Sequence, residues 1–439
     1  MSGMTLGLLI FAGLMALLAF RIHVGVGMII GGAVGFLLTN DWDSSALLYT
    51  LNHLAYARLS NYDLAVIPLF MLMGQFATHG GLSRALFRFA SAFLGHLRGG
   101  LAMAATGACA GFGAICGSSL ATAATMAQVA LPELRNHGYS GRLATGTLAA
   151  AGTLGIMIPP SVPLIIYAVL TQESIGKLFM AAVIPGVIAM LGYMAVIRLL
   201  VVLDPKAGPA GVRQTWPERL KVTLAVVPVM GIFAVVIVGI YGGWANPTEA
   251  ASIGAAACGA LAWLTGGMRW QGFKASLVGT ANTTAMIFLV LLGADLLNSA
   301  LALTQMPGEL AGWVKHSEFP PLLVLVSILV IYVLLGCVMD SLAMILLTIP
   351  IFYPMIMGLD FWGMPEVDKS IWFGILALMV VEIGLVHPPL GMNLFIIQKL
   401  SGGVPYIETA KGVMPFLASD LVRIALLVAF PALSLWLVR

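Results

Sequence analysis

The sequence predicts an all-α polytopic membrane protein built from two inverted repeats, each holding a re-entrant helical hairpin and a broken helix. Three observations predict it. Charge-free apolar runs recur along the chain, among them 64–83, 99–132, 143–172, 178–197, 222–248, 250–268 and 275–294. One of these, 99–132, is long enough for two helical arms, yet arginines flank it on what must be one side of the membrane. Finally, a glycine stands four residues ahead of a proline pair twice, in GIMIPP (155–160) and GLVHPP (384–389).

Of 439 residues, 60% are hydrophobic and 9% charged, whereas a soluble domain carries about 25% charged residues. About 20 apolar residues cross a bilayer as helix. Because these runs are continuous rather than alternating, helices that satisfy their own backbone are expected and a β-barrel is not. The net charge of +3 fits a positive-inside bias and no nucleic-acid partner. Cys109, Cys116, Cys258 and Cys337 have no paired spacing, which argues against a disulfide frame or a zinc site. The 24 methionines are spread through apolar runs and read as packing.

Residues 1–63 read as N-terminal scaffold helices, whether one or two in the first 39 residues being open. Their opening apolar stretch precedes the first basic residue, Arg21, which fits an uncleaved helix and not a signal peptide. The first repeat covers 64–203. It comprises a crossing, an interfacial arm marked by Arg84, Arg88 and Arg98, a hairpin at 99–137, a broken helix at 143–172 and a helix at 178–203. Residues 204–221 form a cytoplasmic loop, since five cations from Arg198 to Lys221 face two acids there. Residues 222–274 add two scaffold helices, the second starting at Asn246 and Pro247 with Glu249 near its positive end.

The second repeat, 275–439, follows the same plan. It has a crossing, a mixed segment at 295–318 with Asp295, Glu309 and Glu318 against Lys315, a hairpin at 319–359, a broken helix at 370–398 and a final helix. Trp216, Trp244, Trp270, Trp313, Trp362 and Trp372 lie at run ends, as an interfacial belt requires. Six crossings separate the first broken helix from the second, so the two run in opposite directions. Ser118 is 14 residues before Pro132 and Ser341 is 13 before Pro354; Pro185 is 26 after Pro159 and Pro415 is 27 after Pro388.

The first hairpin tip falls at CGSSLAT (116–122), where glycine and hydroxyl residues weaken helix continuity. The second falls at VMDSLAM (338–344), where Asp340 is the one acid in an apolar span from 319 to 359. A proline pair inside a helix removes two donors and costs about 3 kcal/mol or more. Such backbone survives in a bilayer only where it lines a cavity. There, half-helix N-termini can face an anion and unwound carbonyls can coordinate sodium.

Five ordered motifs now carry a resemblance: HGGLSRALFRFASAFLGHLRGGLA (79–102), GSSLATAATMAQVALPELRNHGY (117–139), GIMIPPSVPLIIYAVLTQESIGKLFMAAVIPG (155–186), NPTEAA (246–251) and EIGLVHPPLGMNLFII (382–397). The chain resembles the large membrane subunit of tripartite ATP-independent periplasmic (TRAP) transporters over nearly its whole length. The resemblance implies a multi-pass permease of the bacterial inner membrane and no enzyme. It implies work with a small four-helix membrane subunit and a periplasmic substrate-binding protein, importing an organic acid with a sodium gradient by an elevator motion.

Carried onto this sequence, the resemblance gives a first sodium site joining Ser118 and Ser119 to the break from Gly155 to Pro159. A second joins Asp340 and Ser341 to the break from Gly384 to Pro388. The substrate carboxylate would lie between the tips near Thr122, Ser161 and Asn393, close to half-helix N-termini. Pro160, Pro389, Glu382 and His387 are structural neighbours: Glu382 would brace its break by accepting backbone N–H bonds, and His387 stands where many relatives are expected to have threonine. The alternative is a stand-alone sodium/carboxylate or arsenite-type transporter of the same architecture, which would need no soluble partner. An intramembrane hydrolase could pair Ser118 with His387, but no GxSxG or HExxH motif supports it.

Overall fold

The computed structural model describes residues 2–20, 22–265, 267–317 and 319–439, so Arg21 and Glu318 lie outside the described residues. The first 39 residues form two helices, α1 (Gly3–Ala19) and α2 (Val24–Thr39). Next comes α3 (Ser44–Leu59), started by the Asp43 carboxylate on the Ser45 and Ala46 N–H groups and burying no residue. A crossing helix, α4 (Val66–His79), bends by 67° into α5 (Leu82–Leu94). Gly81, with φ +75°, supplies the left-handed corner between them. Since α5 buries Leu82, Leu86 and Phe87 and leaves Arg84 and Arg88 exposed, it has the two faces of the expected interfacial arm.

The first hairpin is α6 (Gly100–Cys116) and α7 (Ser119–Asn136), packed on each other. Glycine and alanine dominate α6, and nearly all of it is buried, as close helix contact in a membrane requires. The first broken helix follows as α8 (Gly141–Gly152) and α9 (Leu154–Met157), a break at 158–161, and α10 (Val162–Thr171), bent by 41° overall. The repeat closes on α11 (Ile175–Leu203).

Two scaffold helices follow, α12 (Trp216–Tyr241) and α13 (Pro247–Leu264). Each opens on a capping box, Thr215 with Glu218 and Asn246 with Glu249. The first box starts its helix earlier than expected, so the polar loop ends at Thr215 and not at residue 221. The expected helix start at NPTEAA is present, Glu249 accepting from Asn246 N–H at 2.9 Å.

The second repeat runs through α14 (Trp270–Leu303), α15 (Met306–His316), the hairpin α16 (Pro321–Gly336) and α17 (Ser341–Met357), the broken helix α18 (Glu366–Val386) and α19 (Met392–Leu400), then α20 (Tyr406–Ala429) and the short α21 (Ala432–Leu435). Its crossing helix is longer than the sequence suggested and absorbs Asp295 from the mixed segment. That acid is partnered: Arg58 of α3 grips it with two nitrogens, Nη2 at 2.6 Å from Oδ1. A bidentate pair is how a charge is tolerated inside a span.

Trp372 is a correction. The other five tryptophans of the expected belt are exposed, but Trp372 is fully buried, its indole donating to the Leu427 carbonyl at 2.9 Å and its ring packed on Phe361 and Trp362.

Packing between the repeats is reciprocal. The second half of each broken helix lies on the second arm of the opposite hairpin, α10 on α17 and α19 on α7. The first half of each lies on the closing helix of the opposite repeat, α8 on α20 and α18 on α11. The hairpin tips also correct the register of the repeat: the residues capping the second arms are Ser118 and Asp340. Asp340, not Ser341, is therefore the counterpart of Ser118, and each stands 14 residues before its proline, Pro132 or Pro354.

Candidate functional site: two hairpin tips against two helix breaks

Each tip is held against its break by a pair of glycines. In the first repeat, a side chain on Gly113 would run into the Gly155 backbone, and in the second a Cβ on Gly336 would lie 2.8 Å from Gly384 Cα. The glycine four residues ahead of each proline pair is thus a contact point, not a hinge. With no Cβ on either partner, α6 approaches the α8–α9 helix, and α16 approaches α18, backbone to backbone. Both breaks contain a cis peptide bond, Pro159–Pro160 and Pro388–Pro389.

The first junction is fully covered. A Cβ on Gly155 would lie 2.5 Å from Thr122 Oγ1 and 2.7 Å from the Ser118 carbonyl; one on Gly117, at the tip, would lie 3.1 Å from the Pro160 carbonyl. Ser119, Thr122, Pro159, Pro160 and Ser161 are all buried. Ser118 caps α7, its hydroxyl accepting from Ala121 N–H at 3.4 Å. Thr122 Oγ1 and Ser161 Oγ have no hydrogen-bond partner among the described residues. Since buried hydroxyls are normally satisfied, two of them left free at a break mark a place for a polar guest.

Asn393 arrives from the second repeat. Its amide donates to the Ala149 carbonyl at 3.4 Å, while Oδ1 has no partner among the described residues. Ala149 precedes Gly155 by six residues, about 9 Å along a helix. The substrate candidates Thr122, Ser161 and Asn393 therefore gather around one junction, two from the first repeat and one from the second.

The second junction is built alike but less covered. Cys337, in the turn between α16 and α17, places its sulfur 3.8 Å from His387 Nδ1 and 3.9 Å from the His387 carbonyl. Asp340 caps α17, accepting from Ala343 N–H at 3.4 Å, and lies within electrostatic reach of His23 at the start of α2. The carboxylate thus faces the scaffold while capping its helix, and Ser341 beside it is buried. Pro389 and Leu390 are exposed, and Tyr406 holds this loop by donating to the Pro389 carbonyl at 2.6 Å. Glu382 departs from the expectation of a brace: no N–H group reaches either of its oxygens among the described residues.

One set of groups escaped sequence reasoning. Asp420 and Arg423 of α20 form a buried ion pair at 3.0 Å, and Tyr193 of α11 donates to Asp420 at 2.9 Å. The signal was present in ASDLVRIALL, an acid and an arginine three apart inside an apolar helix. Among the described residues no group of three or more His, Cys, Asp or Glu side chains is arranged to hold a transition metal.

Comparison with known proteins agrees with this geometry. Residues 11–433 match the family described as "Tripartite ATP-independent periplasmic transporter, DctM component". The chain belongs to that family. It is similar to the C4-dicarboxylate TRAP transporter large permease protein DctM of Pseudomonas aeruginosa, with 35% identity covering 85% of this chain and 86% of the relative. It is also similar to the sialic acid TRAP transporter large permease protein SiaM of Vibrio cholerae, with 30% identity covering 97% and 96%. A third relative is the ectoine permease protein TeaC of Halomonas elongata, with 30% identity covering 85% and 86%. Among solved structures, the YdaH transporter of Alcanivorax borkumensis has the same fold, with a TM-score of 0.69, 15% identity, and coverage of 93% of this chain and 98% of that one. This TRAP large permease is accordingly a transport protein of membranes, and the resemblance seen in its motifs is a family relationship.

Proposed function

We propose that this permease imports an anionic organic solute across the bacterial inner membrane with sodium ions. The solute is delivered by a periplasmic binding protein, and a small four-helix membrane subunit completes the assembly. The observation that carries the reading is the cluster of buried acceptors without partners, Thr122, Ser161 and Asn393, where a hairpin tip meets a helix break. Hydroxyl and carbonyl oxygens at a break suit a hard monovalent cation without committing fixed charge, and half-helix N-termini beside them suit a carboxylate. The relatives are named for C4-dicarboxylates, sialic acid and ectoine, which supports a small organic solute.

An elevator motion is supported by the way the helices partition. Helices α2, α4, α13 and α14 pack mainly on one another, whereas the hairpins, broken helices, α11 and α20 interlock across the repeats. The arm α5 bridges the two groups, packing on α12 and on α6. For the membrane partner, α3 offers an uncovered face with Leu48, Tyr49, Tyr56 and Leu59 exposed.

Uptake in proteoliposomes holding both membrane subunits, supplied with the binding protein, tests the proposal. Uptake should require an inward sodium gradient and stop when an ionophore dissipates it. Uptake that continues unchanged without the gradient refutes the coupling, and uptake without the binding protein refutes the tripartite reading.

A further inference from the structure

Behind the tip-and-break junctions lies a buried polar chain that neither junction uses. Glu382, two residues before Gly384 on α18, is fully buried, and neither carboxyl oxygen has a partner among the described residues. It lies beside the Ser119 hydroxyl in the first turn of α7 and within electrostatic reach of Arg423 and Asp420. Asp420 is paired with Arg423 and accepts from Tyr193, whose hydroxyl is 3.2 Å from Thr153 Oγ1. Thr153 stands two residues before Gly155. The chain Glu382, Arg423, Asp420, Tyr193, Thr153 therefore runs from one break to the other.

Two carboxylates and one guanidinium leave this cluster with one unbalanced negative charge. Every member is at most 3% exposed, and an unbalanced charge at such depth costs at least about 2.5–3.5 kcal/mol on insertion scales. One monovalent cation would remove it. A metal ion fits poorly, because the Arg423 guanidinium, with Nε and Nη2 unpartnered, occupies the same surroundings and would repel it. A proton needs a single oxygen, and the resulting O–H can donate to the hydroxyl of Ser119.

We propose that Glu382 is a proton-carrying carboxyl, protonated when the first tip is closed and donating its hydrogen to Ser119, so that a proton ties the second break to the first hairpin. The charged and titratable groups facing it are Arg423 and Asp420 from α20, with Tyr193 of α11 behind Asp420; α7 contributes the neutral Ser119. As pH rises, loss of this proton restores the buried charge beside the tip. Import then falls on the alkaline side.

The inference rests on the proposed junctions for its consequence in transport, but its first readout needs no transport. Infrared difference spectra of the purified full-length chain, wild type against Glu382→Gln, should show a carboxylic-acid C=O band at neutral pH that the variant lacks. Ser119→Ala should shift that band. In proteoliposomes Glu382→Gln, which mimics the protonated acid, should keep sodium-dependent uptake at neutral pH and lose the alkaline fall. A band unchanged by Glu382→Gln overturns the proposal. So does a folded Glu382→Gln protein, with a wild-type melting curve, whose half-saturating sodium rises about 10–100-fold, the loss expected when an ion ligand is disturbed. Failure of sodium coupling in the wild type, with the band intact, would instead count against the function proposed above.

Discussion

Substituting Gly155 by alanine perturbs the first junction at its tightest point. The added methyl would meet Thr122 Oγ1 at 2.5 Å and the Ser118 carbonyl at 2.7 Å, with Thr122 Cβ at 2.9 Å. Ordinary contact is 3.4 Å or more, so tip and break must part by about 0.7–0.9 Å, beyond the roughly 0.5 Å tolerance of a preorganised site. The atoms in the way include backbone, which cannot swing aside as a long side chain would. Overpacking of this kind costs about 1–3 kcal/mol, tolerable for a protein of this size, so the chain should fold and insert. Sodium-dependent uptake is the assay: half-saturating sodium should rise about 10–100-fold, as when the supports of an ion site are displaced. Gly231→Ala is the control, since nothing lies within 4 Å of its added methyl. If Gly155→Ala and Gly231→Ala transport alike, with wild-type sodium dependence, the close approach of tip and break has no role in the ion site.

Ser118→Ala and Asp340→Ala each remove a helix cap and should lower stability by about 0.5–2 kcal/mol, while weakening sodium dependence in uptake; normal sodium titrations in both would withdraw these residues from the ion sites. Asn393→Ala should reduce solute uptake at limiting binding protein yet leave the melting curve nearly unchanged, because its one hydrogen bond is long at 3.4 Å; unaltered uptake removes it from the solute site. Arg58→Ala strands Asp295, which is 8% exposed. Breaking a buried pair costs about 3–5 kcal/mol, and here the low end applies because Arg58 itself is 21% exposed. Thermal melting should show most of that loss recovered by Arg58→Ala with Asp295→Ala.

What the sequence disclosed and what it hid follow from the range of the interactions. Charge-free runs, proline doublets and the serine-glycine tip are local, and each led to an element now seen: the hairpin α6–α7, the break at 158–161 and its counterpart at 387–391. The partner of Ser118 was displaced by one residue because spacing to a proline cannot tell a cap from the first helical residue. Asp340 reads from sequence as an acid needing a partner; the structure supplies one in its own helix N-terminus. Trp372 looked interfacial because it stands near a run end, but Phe361 and Trp362 fold back over it. Contacts spanning hundreds of residues were out of reach: Arg58 with Asp295, Tyr193 with Asp420, and the glycine pairs that join tip to break. The glycines were visible and their meeting was not, since it depends on how α6 crosses the α8–α9 helix.

The most direct test is an experimental density map of the complete complex in lipid nanodiscs, determined once in sodium and once in choline. The account predicts density that appears only in sodium at both junctions: one among the Ser118 and Pro160 carbonyls and Thr122, the other beside Asp340, Ser341 and the His387 carbonyl. Sodium-dependent density elsewhere, or identical maps in the two salts at saturating sodium, would contradict it.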